Sequence, residues 1–209
     1  LPYIILHIIL NLSMYLKFKT SLLLSLFLLS PLLLSGQTNI YDAYIKAHKV
    51  GEMKVVRELN DEGIKVNVET HIEAHMIMKI TVDFTSKSTY MNNRLVDATA
   101  KSSANGHLKN SVQTHYANGS YQINVDGDDK RLNASELVGA DIYYFEIPED
   151  GQQLYSLATG EYLTVKKVSN TEFYFIHDGK KESHLFDEKG LTELTISHKL
   201  YTVIFKRRS

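Results

Sequence analysis

The sequence has no cysteine, no tryptophan and only three prolines in 209 residues. Without a thiol there is no cysteine nucleophile, CxxC redox pair, disulfide scaffold or Cys-ligated zinc. A lipoprotein anchor, which needs a cysteine at its cleavage point, is excluded as well. Neither sign of charge dominates: 23 Lys+Arg face 24 Asp+Glu. A nucleic-acid partner would call for a basic excess, so none is expected. The P-loop, GxGxxG and G-x-S-x-G patterns are all missing, and no order of Ser, His and Asp signals a triad. No cofactor, metal site or catalytic residue is therefore expected.

What is present is unevenly distributed. Residues 1–36 hold 14 leucines and no acid, and their only charged side chains are Lys17 and Lys19. The other 173 residues hold all 24 acids and 21 basic residues, a net charge of −3. Met14 to Lys19 reads as a positive n-region and Ser21 to Leu34 as a Leu-rich h-region. Ser35, Gly36 and Gln37 offer the cleavage region, so the order is that of a secretory signal peptide. Met14 is the expected start, with 1–13 upstream of it. The h-region is short of the roughly 20 residues that span a bilayer, so no stable anchor is expected after cleavage. Residues 37–209 are expected to form one exported domain, periplasmic or secreted. A domain of that size can bury a sufficient core without disulfides.

That domain reads as all-β. From Ile64 to Phe84 the apolar residues fall on even positions and the polar ones on odd, with Thr70 and Ile77 as exceptions. Period 2 over 21 residues means strand. The length suggests one long coiled strand, or two strands joined by a bend near Thr70–Ala74. Asn92-Asn93, Asn105-Gly106, Asn118-Gly119, Asp126-Gly127 and Asp178-Gly179 supply the positive φ of tight hairpins. About ten β-rich runs lie around these turns, among them 41–59, 141–147, 172–177 and 182–187. Only Ala134–Val138 and one turn within Glu149–Ser156 read as helical. The expected architecture is a single strongly curved antiparallel meander, half-barrel or barrel, with at most one or two short helical turns.

Few residues stand out as chemistry. His71 and His75 would share a helix face, but on a strand they lie roughly 13 Å apart, too far for one metal ion. Asp126-Gly-Asp-Asp129 opens like a calcium loop but lacks its spacing and its final Glu. The basic tail Lys206-Arg207-Arg208 reads as a solvated end. Two aromatic clusters, Tyr143-Tyr144-Phe145 and Phe173-Tyr174-Phe175, fall in expected strands. Core packing is their ordinary role, and the alternative is that Tyr143, Phe145, Phe173 and Phe175 line a ligand site in the curved sheet.

Three stretches in order, Ile40 to Val55, Asn118-Gly-Ser-Tyr121, and Ile142 to Pro148 followed by Leu154 to Gly160, resemble a family of uncharacterised exported proteins of Bacteroidota. The resemblance covers nearly all of 38–206. It implies a curved antiparallel sheet and an envelope location, and it brings no catalytic residues. Where that family usually has Ser-Glu-x-x-Gly, this chain has Ser156-Leu-Ala-Thr-Gly160, so no glutamate is carried over there. The leading expectation is a non-catalytic binding module for an apolar or lipid-like ligand on the concave face. The alternatives are a structural or protein-interaction module of the envelope, or an enzyme, which a buried cluster of ionisable groups in a cleft would favour.

Overall fold

The computed structural model describes residues 35–61, 63–75, 79–198 and 201–209. The expected signal sequence, residues 1–34, lies outside the described residues. The described chain is one antiparallel meander of fourteen strands. The first eight are β1 (Ser35–Ile45), β2 (His48–Asn60), β3 (Gly63–His75), β4 (Lys79–Met91), β5 (Arg94–Ala104), β6 (His107–Ala117), β7 (Ser120–Val125) and β8 (Asp128–Leu132). After a long connection come β9 (Gln153–Ser156), β10 (Glu161–Lys167), β11 (Glu172–His177), β12 (Lys180–Asp187), β13 (Gly190–Ser197) and β14 (Thr202–Arg207).

Each strand pairs with its neighbour in sequence, and β14 pairs with β1 to join the two halves. This leaves β8 and β9 as the two ends of one open, strongly curved sheet. The ends approach without hydrogen-bonding as strands. Thr114 of β6 and Tyr155 of β9 share a hydroxyl–hydroxyl bond of 2.6 Å, and Lys130 of β8 lies 3.9 Å from Glu161 of β10.

The alternation from Ile64 to Phe84 is a hairpin, β3 and β4, rather than one strand or a bend at Thr70–Ala74. Its partners, such as Ala74 with Ile80 and Ile72 with Val82, have the same parity. The even positions therefore face inward on both strands, and the alternation resumes with the same parity after the connection. Run 41–59 likewise divides. Its turn is Lys46-Ala47, both at positive φ (48° and 67°) although neither is Gly, Asn or Asp. The Asn and Asp turns behave as expected: Asn105, Asn118, Asp126 and Asp178 all have φ of 48° to 54°, each followed by a glycine at positive φ.

The segment between β8 and β9 departs most from expectation. Ala134–Val138 is not helical, and 141–147 is not a strand. The short helical element is instead a 3₁₀ turn, Ala140–Tyr144. The turn and the residues flanking it lie against the concave face because their side chains complete the core there: Leu137, Ile142, Tyr143 and Phe145 are buried with Tyr41, Val55, Val68, Leu191 and Phe205.

Several contacts fix this inner segment. Leu95 N–H donates to the Leu137 carbonyl (3.1 Å) and Tyr155 N–H to the Val138 carbonyl (2.8 Å). Gly139 forms a parallel bridge with Tyr155, so the inner segment covers part of the β9 edge. The Tyr121 hydroxyl donates to the Leu95 carbonyl and accepts from Leu137 N–H, both at 2.9 Å. Asn39 Nδ2 donates to the Tyr144 carbonyl at 3.1 Å.

Two glycines make the close approach possible. A Cβ on Gly190 would lie 2.6 Å from the Tyr144 carbonyl oxygen, and one on Gly139 would lie 2.2 Å from the Tyr90 hydroxyl. Gly139 has an ordinary φ of −73°, so its requirement is space alone. Gly139→Ala is expected to lower the unfolding free energy by about 1–2 kcal/mol through overpacking, read as an earlier urea midpoint.

Candidate functional site

Curvature and the inner segment together leave a cavity of about 560 Å³ on the concave face. One wall is the β3–β4 hairpin, with Ile72, Ala74, Ile80, Val82 and Phe84. The opposite wall is β11–β14, with Phe175, Leu194, Ile196, Val203 and Phe205. Ala140, Asp141, Tyr143 and Tyr144 of the 3₁₀ turn also line it. Alternation builds these walls, since on each strand every second residue faces inward.

Of the four aromatic residues expected to line a site, Tyr143 and Phe175 face this cavity. Phe145 and Phe173 are buried but pack elsewhere. Phe145 lies beneath the Arg57 guanidinium, 4.6 Å from its ring centroid, and Phe173 packs edge-on against Phe186 at 5.5 Å. On a strand Tyr144 would face away from Tyr143, but that alternation does not hold in a 3₁₀ turn. Tyr144 also lines the cavity, meeting Tyr41 edge-on at 5.9 Å, while the Tyr143 hydroxyl accepts from Gln152 Nε2 at 2.5 Å.

Ionisable groups in the cavity wall are the main feature that sequence reading missed. Asp141 is fully buried, and its carboxylate accepts from the hydroxyls of Ser88 and Tyr90. Burial pushes its carboxyl above the ordinary range, and the two hydroxyls partly offset this. The Tyr90 hydroxyl is raised well above its usual value by burial and by the facing carboxylate.

His184 is buried and stacked on Phe175, with ring centroids 3.9 Å apart. Its Nδ1 is 3.2 Å from the Glu182 carbonyl oxygen, and burial lowers its pKa to about 4. The Glu182 carboxyl is raised by burial, an effect reduced by His177. These residues were legible only as members of a strand, because Leu185 on the other face blurred which parity points inward.

The outer surface holds the other candidates. His71 and His75 are exposed on β3, and each has its own acid partner, Asp83 at 2.6 Å and Glu73 at 3.5 Å. Asp126-Gly-Asp-Asp129 is the β7–β8 turn, in which Asp126 accepts from Ser111 N–H at 2.7 Å and Asp129 from Asn124. The basic tail is paired rather than free. Lys206 meets Glu193, Arg207 meets Asp187, and Arg208 reaches Asp42 and Glu52. Arg208 and then Lys49 hold the Asp42 carboxyl down to about 2.

Among the described residues, Glu161, His177 and Asp178 could bring three ligand atoms within 4.8 Å of one another. His177 Nε2 already meets Glu161 at 2.5 Å, and Lys130 shares that carboxylate, so the group is satisfied as an ion-pair cluster. Among the described residues no helix is long and apolar enough to cross a membrane. Ser35, Gly36 and Gln37 begin β1, opposite Leu59, Glu58 and Arg57.

The architecture is that of an open, barrel-like all-β protein with a ligand-sized cavity. The chain belongs to the family described as a domain of unknown function, DUF6134, which matches residues 41–208. Its fold is similar to a crystal structure of the β-barrel-like protein of domain of unknown function DUF1849 from Brucella abortus. The TM-score is 0.57 at 10% identity, over 85% of this chain and 97% of that one. At that identity the likeness concerns the fold. No curated protein matches the chain significantly.

Proposed function

We propose that this protein is an exported binding module of the cell envelope that holds an apolar or lipid-like ligand in its concave face. The observation that carries the reading is the cavity of about 560 Å³, walled mainly by aliphatic and aromatic side chains. That volume falls within the range of about 300–1,000 Å³ typical of small-molecule sites, which combine apolar walls with a few polar groups. Binding is favoured over catalysis because two of the buried ionisable groups have structural employment. Asp141 secures the inner segment through Ser88 and Tyr90, and His184 is held neutral in an aromatic stack. The export half of the reading rests on the basic and Leu-rich order of residues 14–34.

The test is titration with the uncharged fluorescent probe N-phenyl-1-naphthylamine. Saturable enhancement is expected, and Val82→Trp, which fills the cavity from the β4 wall, is expected to abolish it. Circular dichroism would confirm that the variant is folded. No saturable signal, or an undiminished one in folded Val82→Trp, would overturn the reading. Native mass spectrometry of protein taken from its own host then identifies the bound molecule.

A further inference from the structure

Three ionisable side chains of the cavity wall, Lys180, Glu182 and His184, lie on one strand, β12. Along β12 the inward positions are Lys180, Glu182, His184 and Phe186, which run from exposed through half-buried to buried. Successive inward residues on a strand are about 7 Å apart. The strand is therefore graded from a charged rim to an aromatic floor. The β3–β4 wall is aliphatic and aromatic at Ala74, Ile80, Val82 and Phe84, with Thr70 and Ser86 as its polar members. A molecule filling this space meets hydrocarbon along most of its length; of the two carboxyls in the lining, Asp141 is engaged by the Ser88 and Tyr90 hydroxyls and Glu182 lies partway down the β12 side.

Glu182 differs from the other buried acid. Asp141 has two hydroxyl donors, whereas among the described residues no protein donor is hydrogen-bonded to the Glu182 carboxyl. Its neighbours in the wall are Phe175, directly opposite across the β11–β12 pair, His184, whose ring is stacked on Phe175, and His177 of β11, which acts on it electrostatically. A half-buried carboxyl without a donor is an unfilled hydrogen-bonding position, and a ligand supplying a donor gains most there. A carboxylate head at the same height would place like charges together.

We infer that the cavity selects amphiphiles whose head group donates a hydrogen bond, an ammonium or a hydroxyl, over carboxylates, and that Glu182 receives that head. The inference rests on the binding function proposed above and goes further in naming the head-group chemistry. The alkyl part lies along β3–β4, and the donor points across to β12. Lys180 and His177 at the rim are the rival anchor: they would hold a carboxylate at the mouth.

The experiment uses three probes of equal chain length, dodecylamine, 1-dodecanol and dodecanoate, each competing with N-phenyl-1-naphthylamine. The amine and the alcohol are expected to bind at least ~10-fold more tightly than dodecanoate. Glu182→Gln keeps the shape and an acceptor but removes the charge. It is expected to weaken the amine ~10-fold, leave the alcohol within about 3-fold and raise the affinity for dodecanoate. Lys180→Ala is expected to change the ranking little.

Dodecanoate binding as tightly as the amine would overturn the inference, and so would a ranking unmoved by Glu182→Gln or a dodecanoate affinity that depends on Lys180. In each of those cases the cavity itself still binds. If neither the naphthylamine nor any dodecyl compound binds, the binding function falls and the head-group assignment falls with it.

Discussion

Replacing Asp141 with alanine is expected to lower the unfolding free energy by about 3 kcal/mol. The carboxylate is the acceptor for the Ser88 and Tyr90 hydroxyls, and all three residues are buried. Alanine leaves the Tyr90 hydroxyl without its acceptor and leaves Ser88 only the Val66 carbonyl at 3.5 Å, and a stranded buried donor costs about 1–3 kcal/mol. Asp141→Asn retains an acceptor oxygen of the same shape and should lose much less.

The two variants also separate by pH. Because the Asp141 pKa is raised in the folded state, its favourable contribution is complete below the unfolded value of 3.8 and is lost as pH rises through the folded pKa. Asp141→Asn does not titrate, so its stability relative to the natural protein should improve over that rise and then level off. Urea unfolding at several pH values reads both effects. The triple change Asp141→Leu, Ser88→Ala, Tyr90→Phe removes donors and acceptor together and is expected to recover most of the loss. If Asp141→Ala were as stable as the natural protein, this contact would not hold the inner segment in place.

The same contact shows why only part of the molecule was legible in the sequence. Strand content, the curved meander and most turns follow from local chemistry. Period 2 is visible from Ile64 to Phe84, and Asn-Gly or Asp-Gly marks the two-residue hairpins at 105, 118, 126 and 178. The turn at Lys46-Ala47 carries no such residue, because pairing of β1 with β2 enforces a conformation that its own side chains do not favour. The β3–β4 turn was hidden because equal-parity partners preserve the alternation.

Segment 137–145 was misread for a different reason. Its β-branched and aromatic residues suit a strand locally, but its acceptor and donors lie 51 and 53 residues apart, and no local rule links Asp141 to Ser88 and Tyr90. Of the candidate ligand-lining residues, Tyr143 and Phe175 reach the cavity because both lie on elements facing the concave side. Glu182 and His184 were overlooked because an inward-facing polar residue resembles an outward one until the strand is placed against its partners.

The fold and the cavity share one cause. A fourteen-strand sheet that closed completely would enclose a wide lumen. Here the two ends stop short of pairing, and the 20-residue connection between β8 and β9 turns inward to fill part of the space. Connections of that length without regular structure are uncommon in compact domains and are often functional. The inner segment sets the size of what remains, which is why its contacts with Ser88, Tyr90 and Tyr155 bear on ligand capacity as well as on stability.

His184 makes the complementary prediction, with the opposite pH sense. Its pKa falls from 6.5 to about 4 on folding, through burial. The folded state therefore resists a proton that the unfolded chain accepts. The contribution of the neutral ring is fully present above the unfolded value and is lost as pH falls from about 6.5 towards 4. A depression of that size corresponds to about 3 kcal/mol in total, of which about 2 kcal/mol is lost by pH 5. His184→Phe keeps an aromatic ring on Phe175 and cannot titrate. Between pH 7.5 and pH 5 the natural protein should lose about 2 kcal/mol more than His184→Phe in urea unfolding. Parallel losses in the two proteins would mean that the ring is hydrated in the folded state and that the floor of the cavity is wetter than its walls suggest. The expected divergence would identify His184 as a buried neutral acceptor or donor at the aromatic end of β12, below the position where Glu182 meets the ligand head.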